Sequence, residues 1–158
     1  MLMTAEKTLE TYWDESVPVD PIYIAARMGI VVQANPWLDT ESGHYIPDGA
    51  DGGKPLIIYN SNEAYVRQRF TVAHELGHHA LCHGERPRDT SKNFTTGVKD
   101  YKEIQANRFA AELLMPEKSL HAVIQIRNIR NIEDLASLFC VSKAAMAYRA
   151  ESLGYNIN

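Results

Sequence analysis

The stretch from Arg67 to Gly84, RQRFTVAHELGHHALCHG, limits what this chain can fold into more than any other. At its centre stand His74, Glu75 and His78, an H-E-x-x-H arrangement. Residues four apart on an α-helix lie about 40° apart, one turn along the same face. Two imidazoles so placed can grip one zinc ion, and the glutamate beside them is close enough to take a proton from water. The competing reading is a histidine-rich solvated face. The flanks oppose it, because Phe70, Val72, Ala73, Leu76, Gly77, Ala80 and Leu81 make the segment largely apolar, as in a buried helix. Two histidines and a glutamate buried there need partners, since unpaired buried polar groups are costly. A metal ion supplies one. The pattern predicts a helix, metal ligands in His74 and His78, and a general base in Glu75.

A zinc site needs a third protein ligand. On a continuous helix His79 lies about 140° from His74 and His83 about 180°, so both point away from the metal. The longer H-E-x-x-H-x-x-G-x-x-H pattern requires Gly where this chain has Leu81 and His where it has Gly84, so it is disfavoured. The remaining candidate lies downstream, in YKEIQANRFAAELLMP from Tyr101 to Pro116. Glu103 and Asn107 share a helical face there. A carboxylate at Glu103 can close the site, against the alternative of a solvated helix glutamate. Asn107 can then accept a hydrogen bond from the far nitrogen of a ligating histidine and fix its tautomer.

FTVAHELGHHALCHG followed by EIQANRFAAELLMP resembles the ImmA/IrrE family of zinc metallopeptidases, which includes Rosmerta-type toxins found beside helix-turn-helix antitoxins. The resemblance runs from about Asp20 to Gly154, and the order and separation of the two motifs fit. It implies a gluzincin-like site with His74, His78 and Glu103 on Zn2+ and Glu75 as base. Many relatives carry a second acidic residue where this chain has Gln105, which leaves Glu103 as the sole carboxylate of that motif. Some members cleave a repressor. The resemblance does not fix the substrate.

At 158 residues the chain is long enough for one domain with a sizeable core. Hydrophobic residues make up 45% and charged ones 23%, the range of ordinary soluble proteins, and no apolar run reaches membrane-spanning length. MLMTAEKTLETYWDE lacks the basic start and apolar core of a signal peptide. Cys82 and Cys140 show no C-x-x-C spacing and are expected as buried reduced thiols. These features point to the cytoplasm. A net charge of −4 argues against nucleic acid as the main partner.

Along the chain, Thr4 to Glu15 reads as an amphipathic helix, with Leu9, Tyr12 and Trp13 able to face either a partner or the chain's own domain. Asp20-Pro21 opens a helix that Gly29 ends. Strands are expected at 30–33, 43–47 and 56–59, with a turn at 48–53. The Gly43–Pro47 strand or LIIY at Leu56–Tyr59 could pair with an extended substrate. Asn60 and Glu63 have capping-box spacing and are expected to start the central helix, which runs to about Cys82. Arg67 and Arg69 could pair with a carboxylate near the site. The polar stretch 85–97 reads as a loop from which Arg88, Lys92 and Phe94 could touch substrate. The Glu103 helix is expected from about Lys99 to Leu114, followed by a short helix. Asn131 and Ser142 can cap two closing helices. Their pattern is similar to a helix-turn-helix, but Lys143 and Arg149 alone are thin for a recognition helix, so a pair completing the core is favoured over DNA binding.

The expected fold is zincin-like α+β: a small three-stranded sheet packed on the H-E-x-x-H helix, with a helical C-terminal half. The expected organisation is a single domain over 1–158, with an N-terminal helix at 1–16, a catalytic core at 17–116 and C-terminal helices at 117–158. The leading functional reading is a zinc-dependent endopeptidase acting on a protein or peptide, most naturally a regulator such as a helix-turn-helix repressor. Tyr45, His44, Arg88 and Tyr101 are candidates to stabilise the oxyanion. The alternative is the toxin component of a toxin–antitoxin pair, held by a DNA-binding antitoxin and acting with or without proteolysis.

Overall fold

The computed structural model describes residues 2–84, 89–90 and 100–158. Its elements follow in the order α1 (Ala5–Tyr12), α2 (Pro21–Arg27), β1 (Val31–Asn35), β2 (Glu41–Ala50), β3 (Lys54–Asn60), α3 (Tyr65–Ala80), β4 (Asp89–Thr90), α4 (Tyr101–Leu114), α5 (Glu117–His121), a π-helical turn (Ala122–Ile126), α6 (Ile132–Phe139) and α7 (Lys143–Ser152). The fold is α+β. Three strands of useful length overlap the expected ones, β2 running on to Ala50 where a turn was expected from Asp48, and the two-residue β4 adds to one edge. The sheet order is β1-β3-β2-β4. β3 runs parallel to β1 and antiparallel to β2, so both of its edges are occupied.

Local chemistry explains most boundaries. Thr4 caps α1 through its side chain, accepting from the Lys7 N–H. Asp20 caps α2 by accepting from Ile22 and Tyr23, and Pro21 sits at the start, where its missing N–H costs nothing. Gly29 takes a φ of +80°, which lets the chain reverse from α2 into β1. Asn131 and Ser142 cap α6 and α7.

The expected capping box at Asn60–Glu63 is not formed. Asn60 ends β3, and its side chain accepts from the Asn62 N–H while donating to the carbonyls of Asp39 and Glu41. These bonds hold the β3–α3 connection as a turn. Helix α3 starts at Tyr65 with no side-chain cap. The start of α4 also differs: Asp100 is its cap, and Lys99 lies outside the described residues.

The core joins both halves of the chain. Ile24, Ile57, Leu76, Leu113, Leu114, Leu120, Leu135, Phe139 and Met146 are buried in one cluster, with Leu9, Tyr12 and Trp13 packed at its margin. The closing pair α6–α7 therefore contributes to the same core as the sheet. Within it Arg149 is buried and bonded to the Met115 carbonyl, and Lys143 pairs with Glu133. Both cysteines are free thiols, but neither is buried as expected: Cys140 is half-buried, and Cys82 is exposed at the end of α3 with a φ of +56°. No helix among the described residues is long and apolar enough to cross a membrane.

Candidate metal centre

Helix α3 is buried along most of its second half because it is covered by β2 on one side and α4 on the other. Two glycines allow this. A Cβ at Gly77 would lie 3.1–3.2 Å from Phe109 and the Cα of Ala106, so α4 approaches as closely as it can. A Cβ at Gly43 would lie 2.4 Å from Thr71 Cγ2 and 2.9 Å from the Ile58 carbonyl, so β2 also needs a bare backbone there. The same Gly43 position is 3.5 Å from Glu75 Oε1. The two close approaches set β2 against the glutamate and α4 against the histidines.

Glu103 and Asn107, one turn apart on α4, both reach His74. Glu103 Oε2 lies 3.0 Å from His74 Nε2, and Oε1 lies 3.1 Å from His78 Nε2. The two Nε2 atoms are 3.1 Å apart. Together His74, His78 and Glu103 form a group whose ligand atoms all fall within 4.8 Å of one another. Tetrahedral bonds of about 2.0–2.2 Å separate neighbouring ligand atoms by roughly 3.3 Å, so this cluster has the spacing of a zinc cage as well as its donor chemistry. His74 and His78 are almost fully buried and Glu103 half-buried. Burial alone would push the Glu103 carboxyl up. While the rings of His74 and His78 are protonated, their hydrogen bonds and charges outweigh it and hold the group below the usual carboxylate range, so it stands ionised.

The far nitrogens of both rings are tied down. His74 Nδ1 is 2.8 Å from Asn107 Oδ1, which can only accept, so Nδ1 carries the proton and Nε2 presents its lone pair. A longer relay does the same for His78. Gln105 Oε1 lies 3.0 Å from His83 Nε2, and His83 Nδ1 lies 2.9 Å from His78 Nδ1. The amide oxygen accepts, so a neutral His83 carries its proton on Nε2 and accepts at Nδ1. His78 then donates from Nδ1, leaving its Nε2 free for a metal.

Sequence reasoning placed His83 away from the site because it assumed an unbroken helix. In the structure α3 ends at Ala80, Cys82 turns left-handed, and the His83 N–H returns to the His78 carbonyl at 2.9 Å. His83 and Gln105 are the members of the site that were missed. The only hint was Gly84, which adopts a φ of +75° and marks the end of the turn.

Glu75 is 1% exposed. With Ser42, Arg67, Phe70, Thr71, His74 and Asn107 it lines a recess of about 20 Å³, room for roughly one water. Of the two arginines expected near the site, only Arg67 reaches it, donating to Ser42 Oγ at 3.3 Å. Arg69 is a strut: its guanidinium donates to the carbonyls of Val19, Phe139 and Cys140. The oxyanion candidates scatter. Tyr45 shares a 2.9 Å hydrogen bond with His79 Nδ1. His44 alternates with Gly43 and Tyr45 and so faces the other side of the sheet from α3. Tyr101 is largely exposed at the start of α4. Arg88, Lys92 and Phe94 lie outside the described residues.

Comparison with known proteins gives concordant results. Residues 25–151 match the peptidase family described as the IrrE N-terminal-like domain. The chain is 32% identical over 106 residues to a protein named metallopeptidase ImmA from Bacillus subtilis (strain 168), covering 66% of this chain and 61% of that one. It is 36% identical over 87 residues to an uncharacterized immunity region protein 2 of Bacillus phage phi105, covering 54% of this chain and 52% of that one. The matched stretches thus span less than two thirds of the length of either relative.

Proposed function

Because this chain belongs to the IrrE N-terminal-like family of peptidases, alongside ImmA-type metallopeptidases, we propose that it is a zinc-dependent endopeptidase of gluzincin type. The observation that carries the reading is the convergence of His74 Nε2, His78 Nε2 and the Glu103 carboxylate within 3.0–3.1 Å, beside a buried Glu75. His74, His78 and Glu103 hold the metal. Zinc, when bound, supplies a Lewis acid that acidifies water and polarises a carbonyl.

The remaining work falls to the chain. Asn107 and the Gln105–His83 relay keep both imidazoles in the ligating tautomer. Glu75 accepts the proton of the attacking water and returns it to the leaving amine. Its buried position keeps bulk water from competing for that proton. β2 is the strand that an extended substrate would join. β3 is flanked on both sides, whereas among the described residues β2 pairs with β4 only at Glu41 and Gly43, and Gly43 adjoins Glu75.

The substrate class that fits the family is a regulatory protein such as a helix-turn-helix repressor. The test is to mix zinc-loaded protein with any helix-turn-helix protein encoded beside it and follow fragments by mass spectrometry, with Glu75→Gln in parallel. Fragments that require both zinc and Glu75 are expected. Equal cutting by Glu75→Gln sinks the mechanism, and a stable uncut complex favours a toxin held by its antitoxin.

A further inference from the structure

A groove of about 820 Å³ runs between α1, α4, α5 and α7. On α4 its residues Arg108 and Glu112 lie about 140° and 180° around the helix from Glu103, so the groove opens on another face from the metal centre. Its volume falls in the range of about 300–1,000 Å³ typical of ligand sites. Leu9, Trp13, Tyr148 and Leu153 give it apolar walls. The Trp13 indole is held in place by donating to the Ser16 carbonyl at 2.9 Å, so that wall is preformed.

Arg149 lies at the bottom. It is 8% exposed, and its Nε donates to the Met115 carbonyl at 3.1 Å. No other hydrogen bond or ion pair engages its guanidinium among the described residues. A guanidinium has five N–H donors, and those that the Met115 carbonyl does not take are open to the groove, where a ligand can meet them. The neighbouring carboxylates do not meet the need: Glu112 pairs with Arg108, and Glu117 makes no ion pair among the described residues. The lining as a whole is acidic, with Glu6, Glu10, Glu15, Glu112 and Glu117 against Arg108, Lys118 and Arg149.

We propose that this groove binds a protein segment that presents one carboxylate to Arg149 among apolar and cationic side chains of its own. A fork of guanidinium N–H groups matches a carboxylate in two parallel hydrogen bonds. The apolar walls take aliphatic or aromatic side chains, and the glutamates of the rim take lysine or arginine. The same excess of glutamates repels a phosphodiester backbone or a dianion, which excludes nucleic acid as the occupant. This site is independent of the peptidase reading, and α1, whose Leu9 and Trp13 wall it, contributes nothing to the metal centre.

The test uses the full-length, ¹⁵N-labelled Glu75→Gln chain, so that cleavage cannot consume the probe. Three acetylated eight-residue peptides of lysine, leucine and alanine are titrated: one ending in a free carboxylate, one amidated, and one amidated with a central aspartate. Saturable shifts of the Trp13 indole and Arg149 Nε–H signals are expected with a carboxylate-bearing peptide and not with the plain amide. Whichever of the two carboxylate peptides binds identifies a chain terminus or a side chain as the source. Arg149→Lys is expected to weaken binding about tenfold or more, since it keeps charge but loses the fork. Ser152→Trp, at an exposed position lining the groove, is expected to block binding with Arg149 intact. Equal shifts with the plain amide, no shifts with any peptide at millimolar concentration, or unchanged binding in both variants would overturn the proposal.

Discussion

His83 Nδ1 lies 2.9 Å from His78 Nδ1, and the amide of Gln105 closes the far side of the His83 ring at 3.0 Å. A histidine five residues beyond the motif thereby orients a metal-facing ring without joining the ligand set. Such supporting bonds are worth about 10–100-fold in metal affinity. His83→Phe, which keeps a ring of similar size but removes the acceptor, is expected to weaken zinc binding by about that factor in a competition assay with a chromogenic chelator. Gln105→Glu keeps an accepting oxygen and is expected to bind zinc far better than Gln105→Leu. Wild-type zinc affinity in both His83→Phe and Gln105→Leu would break the relay.

The pairing of His74 with His78 was readable because its spacing survives folding: residues four apart stay on one helical face wherever the helix docks. The same rule carried Glu103 and Asn107. What the rule could not give was the end of α3. The left-handed turn falls on Cys82, a residue with no special preference for that conformation, so apart from Gly84 just beyond it nothing in the sequence marked the point where His83 swings back. The capping box failed for the opposite reason. Asn60 had the right spacing, but the carbonyls of Asp39 and Glu41 claim its amide across the sheet. Local pattern decided the elements, and tertiary competition decided which polar side chains served them.

Gly77 tests how closely α3 and α4 must approach. In an open helix, Gly→Ala is worth up to about 1 kcal/mol of stabilisation. Here the added methyl would meet the Ala106 Cα and Phe109 at 3.1–3.2 Å, and a backbone atom cannot rotate away. Overpacking of this kind costs about 1–3 kcal/mol, so the contact is expected to outweigh the propensity. Urea denaturation of metal-free Gly77→Ala should show a net loss of about 1 kcal/mol. Zinc affinity should fall as well, because α4 carries Glu103. A gain in stability with unchanged affinity would mean that the two helices can separate without disturbing the site.

Arg69 separates structural from catalytic arginines. The residue is 6% exposed, and its guanidinium reaches three carbonyls, those of Val19 at 2.6 Å, Cys140 at 3.1 Å and Phe139 at 3.4 Å. Arg69→Met fills similar space but strands those acceptors. Hydrogen bonds to a charged group and the penalty of unsatisfied carbonyls together put the loss at about 2–4 kcal/mol. Chemical denaturation should read that loss, while the zinc affinity of the folded protein stays within about twofold of wild type, since no metal ligand or its support is touched. A large change in affinity without a change in stability would place Arg69 in the site after all.

Tyr45 and His79 provide a test at alkaline pH. The Tyr45 hydroxyl sits 2.9 Å from His79 Nδ1, and burial, with the nearby Cys82 thiol adding to it, pushes the phenol above its ordinary 10.0. A raised phenol pKa means that the folded state holds the proton more tightly than the unfolded chain does. Its contribution is therefore complete below pH 10.0 and is lost as pH rises from there through the folded value. Tyr45→Phe cannot ionise and lacks this loss, but it gives up the hydrogen bond to His79 at every pH, at about 1 kcal/mol. Melting temperatures from pH 7 upward should place Tyr45→Phe below wild type by a constant margin until about pH 10, after which the margin narrows. A margin that instead widens above pH 10 would mean that Tyr45 ionises more readily in the fold than in the open chain, and that burial does not control it.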